Sequence, residues 1–469
     1  MASVALINPW NFHEEGIAYR SEQLMHIWRN PPMGLVLLAT ELCEVGHDVT
    51  ICDLERDLVV NGGDLQATLA GLRKSLEKIQ PDFVGVTILS VRYLEAQRIV
   101  ELCDKLRCNM AHNPKIVVGN IHSTVEPEAT LRDNPAVDVA FVGEADKPFL
   151  HLVNGEPIEE ISGVAFRQDK SIVVKPPWYA PNLDELPFPN WNFIDVEFYT
   201  APSYAAHART KRPAHSIDII ISRGCPYRCT FCAYNKMRYR WNSPEYVVKN
   251  IEYMLDNFNI DSMYFLDSSI GNNRKQLEAI CKILIEKGLN NRFHWSANMR
   301  CNQVDEELLR QMWRAGCRKL FYGFESGSQR VLDAMKKGCT VEQNEKVAHL
   351  HRKLEFPYHA SMIMGFAGET VEDLEMTLRW LERARPPIVG VNTYVPLPGS
   401  EDYYELKKTG KVKVEDPRIW RMIGEVNNPN APIFCNIPSA LFWKYFDEMK
   451  ALAEKLRREA QNSRMWKEM

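Results

Sequence analysis

The stretch ISRGCPYRCTFCAY, residues 221–234, decides how the rest of the chain is interpreted. It places Cys225, Cys229 and Cys232 on one short segment, with no fourth cysteine nearby. A zinc site normally closes with four ligands, and His215, the nearest histidine, lies at the far end of the preceding apolar strand. A disulfide needs two cysteines. Three thiols on one tight loop therefore indicate either a metal site left open or an accident of composition.

The sequence around this loop alternates strand patterns with helix patterns. The apolar run HSIDIIIS, residues 215–222, leads directly into the cysteines. Further strands are predicted at 262–267, 292–298, 319–325, 357–365 and 388–396, with helices at 244–258, 274–288, 305–316, 340–354 and 370–384. This makes six β/α units, fewer than the eight that close a full barrel. Because active residues of such folds lie at the carboxyl ends of the strands, the cysteine loop is predicted to lie in the active site.

A second alternating pattern fills the first 150 residues. Apolar strands are predicted at 4–8, 48–54, 82–89, 115–120 and 137–143, with helices at 33–46, 65–79, 93–106 and 127–134. Continuous apolar strands separated by helices indicate a parallel sheet that is covered on both faces. Such sheets bind ligands beyond the carboxyl ends of their strands. The residues predicted at that edge are 9–11, 89–92, 119–122 and 143–144.

Composition limits the classes of function. The chain has 469 residues, a formal net charge of −4 and a pI near 6.3, which argues against nonspecific nucleic-acid binding. No apolar run approaches the ~18 residues of a membrane span, and the start MASVALINPW lacks the features of a signal peptide. Twelve cysteines without regular pairing fit a reducing compartment. We therefore expect a cytoplasmic protein.

The predicted elements divide the chain into four regions. Residues 1–150 form an α/β domain with a Rossmann-like parallel sheet, and residues 216–400 form a partial (β/α)6 barrel. Residues 151–215, which contain the Pro- and Asn-rich stretch PNLDELPFPNW, are expected to be a linker. Residues 401–469 include the amphipathic stretch SALFWKYFDEMKALAEKLRREAQ and are expected to form a small helical region that caps the barrel mouth.

The cysteine loop resembles the motif of the radical S-adenosylmethionine superfamily. The spacing Cys-x3-Cys-x2-Cys, with Phe231 before the last cysteine, falls after the first strand of a partial barrel, as that superfamily has it. The stretches FLDSS, GFESGSQRVLDAMKKG, IMGFAGET and PLPGSEDYYELKKTG resemble its later strand ends. The resemblance implies a 4Fe–4S cluster on Cys225, Cys229 and Cys232. Its open fourth iron would bind S-adenosylmethionine, with contacts from Phe231, Tyr234, Asp267, Asn298, Arg300, Glu325 and Gly365.

The first domain is similar to the cobalamin-binding domains that accompany some of these enzymes. VGVTIL, VVGN and NPPMGLVLLATELCEVGHDVTICDL carry that similarity. A flavodoxin-like domain without a cofactor is the alternative. The resemblance implies that cobalamin would contact residues at the carboxyl edge of the sheet, namely Leu89, Ser90, Val91, Gly119, Asn120, His122, Gly143 and Glu144.

The stretch NFHEEG, residues 11–16, resembles the motif that places a histidine under the cobalt, with Asn11 in the place of its Asp. In that motif the Gly begins the helix that leads to the second strand. Gly16 is too far from DVTICDL for this, whereas Gly34 is at the expected distance, and Pro31 then stands in the histidine position. We therefore expect cobalt without a histidine ligand and the loop Leu89–Arg92 under the lower corrin face. His13 remains a candidate for other contacts.

By resemblance, the leading hypothesis is an enzyme that methylates an unactivated carbon (or a phosphinate phosphorus) of a small molecule, through a 5′-deoxyadenosyl radical and methylcobalamin. An electron donor such as flavodoxin or ferredoxin would reduce the cluster, and neither nucleic acid nor a membrane is an expected partner. A non-methylating member of the family, which cyclises, contracts a ring or oxidises, is the alternative. A tRNA methylthiotransferase and a corrinoid carrier or sensor without enzymatic activity are further possibilities.

Overall fold

The computed structural model describes residues 1–10, 29–203, 213–234, 237–410, 413–424 and 431–461. These residues fall into two compact units. The first unit comprises residues 1–10, 29–198 and Glu415–Arg421, and the second comprises the described residues from Tyr199 to Val414 and from Met422 onward. The positions Asn11, His13 and Gly16 lie outside the described residues. None of the described helices is long and apolar enough to cross a membrane.

The first unit contains one mixed sheet. Its strands are β1 Ser3–Asn8, β2 Asp48–Asp53, β3 Phe83–Thr87, β4 Lys115–Gly119, β5 Val139–Phe141, β6 Val164–Gln168 and β7 Ser171–Val174. Its helices are α1 Met33–Glu44, α2 Leu54–Val60, α3 Leu65–Ile79, α4 Tyr93–Arg107, α5 Ile121–Val125, α6 Pro127–Asp133 and α7 Asp146–Val153. The strand order is β2-β1-β3-β4-β5-β6-β7, and the first five strands are parallel. The predicted Rossmann-like parallel sheet is confirmed.

The last two strands of this sheet were not expected. β6 pairs antiparallel with β5, and β7 pairs antiparallel with β6. Both lie within residues 151–215, so that segment is not simply a linker. The strands are short, and their tight connection includes Asp169 at φ 53°. β7 has no buried residue, and its apolar run of three residues is not followed by a helical pattern, so it lacks the strand–helix alternation by which the other strands were recognised.

The second unit contains the partial barrel. Its six parallel strands are β8 Ser216–Ile219, β11 Ser262–Phe265, β12 His294–Met299, β13 Cys317–Glu325, β14 Tyr358–Met364 and β15 Ile388–Thr393, in the order β15-β14-β13-β12-β11-β8. A separate antiparallel pair is formed by β9 Ser222–Arg223 and β10 Arg240–Trp241. The helices are α8 Val196–Thr200, α9 Pro244–Asn257, α10 Arg274–Glu286, α11 Glu306–Arg314, α12 Gln329–Ala334, α13 Val341–Leu354, α14 Val371–Ala384, α15 Glu401–Thr409, α16 Pro417–Arg421 and α17 Ser439–Gln461. Of these, α16 belongs to the first unit, and α8 crosses the boundary between the two units.

The C-terminal helix α17 does not cap the barrel mouth as expected. It packs against β15 and α14. Phe442 near its start lies beside Gly365, after the carboxyl end of β14, while Glu459 near its end pairs with Arg385, before the amino end of β15. The helix therefore runs along the last strand of the open sheet, where an uncovered strand edge would otherwise invite pairing.

Candidate active site

The cysteine loop follows the carboxyl end of β8 and is closed at its base by the β9–β10 pair. Gly224 opens it at φ 79°, and a Cβ atom there would lie 2.2 Å from the carbonyl oxygen of Arg238. Only glycine fits this backbone. The N–H of Cys225 donates to the carbonyl of Met237 at 3.3 Å, which fixes the start of the loop against its end.

The three cysteines of the loop are free thiols, and Cys225 and Cys229 are close enough to act electrostatically on Cys232. Cys229 is 6% exposed, and Cys225 and Cys232 are half-buried. Burial raises the pKa of Cys232 to about 11, and the neighbouring Cys229 and Cys225 act in the same direction. The N–H of Cys232 also donates to the carbonyl of Cys229 at 3.2 Å. The arrangement therefore brings together the three residues that the sequence motif predicts.

Two buried cations adjoin the loop. The Arg300 guanidinium lies 3.6 Å from the centroid of the Tyr227 ring, and its Nη1 is 3.7 Å from Cys229 Sγ. Lys337 lies 5.8 Å from the Phe231 ring centroid and pairs with Glu325 at 2.6 Å. Lys337 was missed in the sequence, although the stretch MKKGC places it in a segment already matched to the family. These cations can offset the negative charge of thiolate ligands.

Asp267 and Asn298 hold strand ends together beneath the loop. The Asp267 carboxylate accepts from the N–H of Ile221 at 3.3 Å and from the Ser222 hydroxyl. Burial raises the pKa of Asp267 to about 6. Asn298 donates to the Asp267 carbonyl at 2.9 Å and accepts from the Tyr264 hydroxyl at 2.7 Å. Both side chains already have partners within the fold, so their contact with S-adenosylmethionine stays a prediction.

Three other predicted contacts lie near the same strand ends. Glu325 ends β13 at φ 65° with its carboxylate on Lys337. Gly365 follows β14 at φ 86°, and its N–H donates to Glu369 at 2.6 Å. Tyr234 is exposed at the far end of the cysteine loop.

Glu369 gives a stability prediction. Burial raises the pKa of this carboxyl group from 4.5 to about 8. The folded protein therefore binds the proton more tightly than the unfolded chain, and this contribution to stability is lost as pH rises through that range. Glu369→Gln removes the titration, so its melting temperature relative to wild type should increase between about pH 5 and about pH 8. Glu372→Gln, an exposed residue in the first turn of α14, which begins two residues after Glu369, is the control. An equal pH response in both variants would contradict the assignment.

In the first unit, Ser90 and His122 are joined to each other. Ser90 Oγ lies 2.9 Å from His122 Nδ1. The His122 ring packs at a tilt against Tyr93, at 4.5 Å between ring centroids, and against Trp420 at 5.2 Å, and burial lowers its pKa to about 3. His122 is therefore a neutral, packed side chain. Trp420 comes from α16, and no local sequence signal placed it here.

Arg92 is also turned inward. Its Nη1 donates to the Pro9 carbonyl at 3.2 Å and lies 3.1 Å from Glu55. Burial raises the pKa of Glu55 to about 7, and the charge of Arg92 opposes this rise. The guanidinium is thus held beneath the loop Leu89–Arg92 by groups of its own domain.

The remaining predicted cobalamin contacts divide into two sets. A Cβ atom on Gly143 would lie 2.3 Å from the carbonyl oxygen of Trp178, and Glu144 accepts from the N–H of Ala180 at 2.9 Å. These two residues are therefore engaged by the segment that follows β7. The other set stays partly or fully exposed at the carboxyl edge of the sheet: Leu89, Val91, Gly119 and Asn120.

The residues of the second unit fit an iron–sulfur cluster, because three thiols converge on one loop and cations lie beside it. No group of three His, Cys, Asp or Glu side chains in the described ranges is arranged to hold a single metal ion. Since the cysteines of a cluster bind different irons, that finding does not bear on cluster binding. In the first unit, Leu89, Val91, Gly119 and Asn120 stay accessible at the carboxyl edge of the parallel sheet, which is where such sheets bind ligands.

Two family models match the chain. The Radical SAM superfamily matches residues 219–381, and the B12 binding domain matches residues 29–153. The first range contains the cysteine loop and four of the six strands of the partial barrel, β11 to β14. The second covers α1 to α7.

Similar proteins share most of this length. An uncharacterized methyltransferase of Pyrococcus horikoshii is 28% identical over 79% of this chain and 77% of its own. The anaerobic magnesium-protoporphyrin IX monomethyl ester cyclase of Cereibacter sphaeroides is 26% identical over 91% of this chain and 67% of its own length. Among solved structures, one similar fold is that of the radical S-adenosylmethionine methyltransferase TsrM from Kitasatospora setae with cobalamin and a [4Fe–4S] cluster bound. Its TM-score is 0.66, with 18% identity, and the match covers 87% of this chain and 75% of TsrM.

The two domains, found together on this fold, define a class of enzyme. The chain is a cobalamin-dependent radical S-adenosylmethionine enzyme. Its cofactors are accordingly a 4Fe–4S cluster, S-adenosylmethionine and cobalamin.

Proposed function

We propose that this enzyme methylates an unactivated carbon, or a phosphinate phosphorus, of a small molecule. The observation that carries the proposal is the presence in one chain of a B12-binding domain and an open three-cysteine loop at the carboxyl end of a parallel sheet. The similarity to relatives named as methyltransferases supports it.

The second unit would hold the radical-forming cofactors. Cys225, Cys229 and Cys232 would each bind one iron, and the cluster with bound S-adenosylmethionine supplies the 5′-deoxyadenosyl radical that takes hydrogen from the substrate. Arg300 and Lys337 would offset negative charge at the loop. Phe231, Tyr234 and Gly365 remain proposed contacts to the nucleoside part. The strand ends are shaped by Asp267, Asn298 and Glu325. Each of these side chains would have to give up a present hydrogen-bond partner to contact S-adenosylmethionine directly.

The first unit would hold cobalamin, which supplies a cobalt that carries a methyl group. Leu89, Val91, Gly119 and Asn120 are the proposed contacts, because they stay accessible at the carboxyl edge. Arg92 lies in the loop that we expect under the corrin, and the charge of a cation beneath the cobalt would by itself discourage a ligand there. This is the main objection to our reason for an unligated lower face. The pairing of Arg92 with Glu55 weakens that objection. Cobalt without a histidine ligand therefore remains our proposal.

A non-methylating reaction is the second candidate, since a relative is named as a cyclase. The product distinguishes methylation from a non-methylating reaction. Reduced holoenzyme given S-adenosylmethionine with a deuterated methyl group, and a metabolite extract of the source organism, should yield a product that carries the deuterated methyl. A product that loses hydrogen and carries no label would establish the second candidate instead.

The cellular context stays a prediction. The cluster needs one electron for each radical formed, and we expect a flavodoxin or ferredoxin to supply it. A cytoplasmic location and the boundaries of the four regions also remain proposals.

A further inference from the structure

The inner face of the six-stranded sheet is polar. Along β13, Leu320, Tyr322 and Phe324 are buried on the outer face, where Tyr322 contacts His351 of α13 and Phe324 contacts Trp380 of α14. Because side chains alternate along a strand, Lys319 and Phe321 lie on the opposite face, toward the inside of the partial barrel. A lysine is unusual at such a position, since lysine is almost never fully buried unless it is paired.

Lys319 is 7% exposed, and none of the described carboxylates lies within ion-pair distance of its ammonium group. Its Nζ lies 5.1 Å from the centroid of the Phe321 ring. Burial lowers the pKa of Lys319 to about 8, which leaves it mostly protonated at neutral pH. Lys337, also buried in this unit, pairs with Glu325 at 2.6 Å. The contrast shows that the fold provides a carboxylate for one buried lysine and none for the other.

Unsatisfied polar groups lie beside this cation. Ser296 is the register partner of Lys319 on β12, and its buried hydroxyl has no hydrogen-bond partner in the described part of the chain. His359 is the register partner of Phe321 on β14, and its Nε2 is likewise buried and unsatisfied there. The positive charge of Lys319 adds to burial in lowering the pKa of His359 to about 4. The ammonium is a donor, and the Ser296 hydroxyl and the neutral His359 ring can each donate one hydrogen bond to the same ligand.

We propose that this inner face binds an anionic group of the substrate, a carboxylate or a phosphoryl-type oxyanion, with Lys319 as its counter-charge. An oxyanion would satisfy the ammonium directly, and charge-assisted hydrogen bonds are the strong kind. Ser296 and His359 would donate to the same group, and the Phe321 ring would line the approach. The substrate class rests on the proposed function, since the inside of the partial barrel is where the radical would meet the substrate.

The test measures binding of benzoate and phenyl phosphate by calorimetry to the full chain loaded with cluster, cobalamin and S-adenosylmethionine. Wild type should bind at least one probe, and Lys319→Met should bind it at least about tenfold more weakly. Lys319→Arg should retain part of the affinity. Lys282→Met, an exposed lysine on α10, should bind as wild type does. The probe that binds distinguishes a carboxylate from a phosphoryl group.

Stability gives a second readout. Lys319→Met should melt at the same or a higher temperature than wild type, because it removes an unpaired buried charge. A strongly destabilised Lys319→Met would show that the lysine serves the fold, and equal probe affinity in wild type and Lys319→Met, or no binding of either probe to wild type, would overturn the proposal. Failure to methylate with intact anion binding would instead count against the proposed function alone.

Discussion

Replacing Cys225, Cys229 and Cys232 together with alanine should abolish both the iron–sulfur cluster and the cleavage of S-adenosylmethionine. The loop, residues 221–234, carries these three thiols and no other cysteine. Loss of all three ligands leaves no thiolate to bind iron. Wild type, reconstituted without oxygen, should hold about four irons and four sulfides, as the cluster type requires. The variant should hold neither.

The measurement is iron and sulfide content, visible absorbance and release of 5′-deoxyadenosine by the reduced protein. Cys43→Ala and Cys108→Ala together provide the control, because both cysteines are exposed and lie in the other unit. The control should keep cluster and cleavage. If the triple variant still releases 5′-deoxyadenosine, the cysteine loop is not the cluster site.

Lys337→Met should lower the free energy of unfolding by about 3–5 kcal/mol, the usual effect of removing one partner from a buried ion pair. The Lys337 and Glu325 side chains are each 8% exposed, so the variant leaves the Glu325 carboxylate buried without its counter-charge. Urea unfolding of the protein without cofactors measures this. It separates the effect on the fold from any effect on the cluster.

The adjacent lysine is a matched control. Lys336 pairs with Glu401 at the same 2.6 Å, but the two side chains are 56% and 46% exposed. Lys336→Met should therefore change stability by about 1 kcal/mol or less. Adding Glu325→Gln to Lys337→Met should recover part of the loss. If Lys337→Met costs no more than Lys336→Met, the buried pair does not stabilise the site as described.

The sequence was sufficient to predict the six strands of the partial barrel and the parallel strands of the first sheet. In the first sheet each is a near-continuous apolar run, and in the partial barrel each is a short, largely apolar segment between helical patterns. The cysteine loop was found because its three ligands are close in sequence. β7 was missed because its apolar run, Ile172–Val174, is only three residues long and no helical pattern follows it.

Contacts between distant residues were beyond the reach of local patterns. Asp267, which we predict to contact the cofactor, also accepts hydrogen bonds from Ile221 and Ser222, because β11 and β8 are neighbours in the sheet. Trp420 packs on His122 although the whole partial barrel separates them in sequence. Such pairings depend on strand register and chain path, and neither leaves a mark in the composition of a short segment.

If the enzyme methylates its substrate as proposed, it uses S-adenosylmethionine both as a methyl donor and as a radical source. The most direct measurement quantifies S-adenosylhomocysteine and 5′-deoxyadenosine released by the reduced protein, loaded with its cluster, with and without cobalamin. We expect both products from the cobalamin-loaded protein, and only 5′-deoxyadenosine when cobalamin is left out. Release of 5′-deoxyadenosine without S-adenosylhomocysteine from the fully loaded protein would contradict methyl transfer.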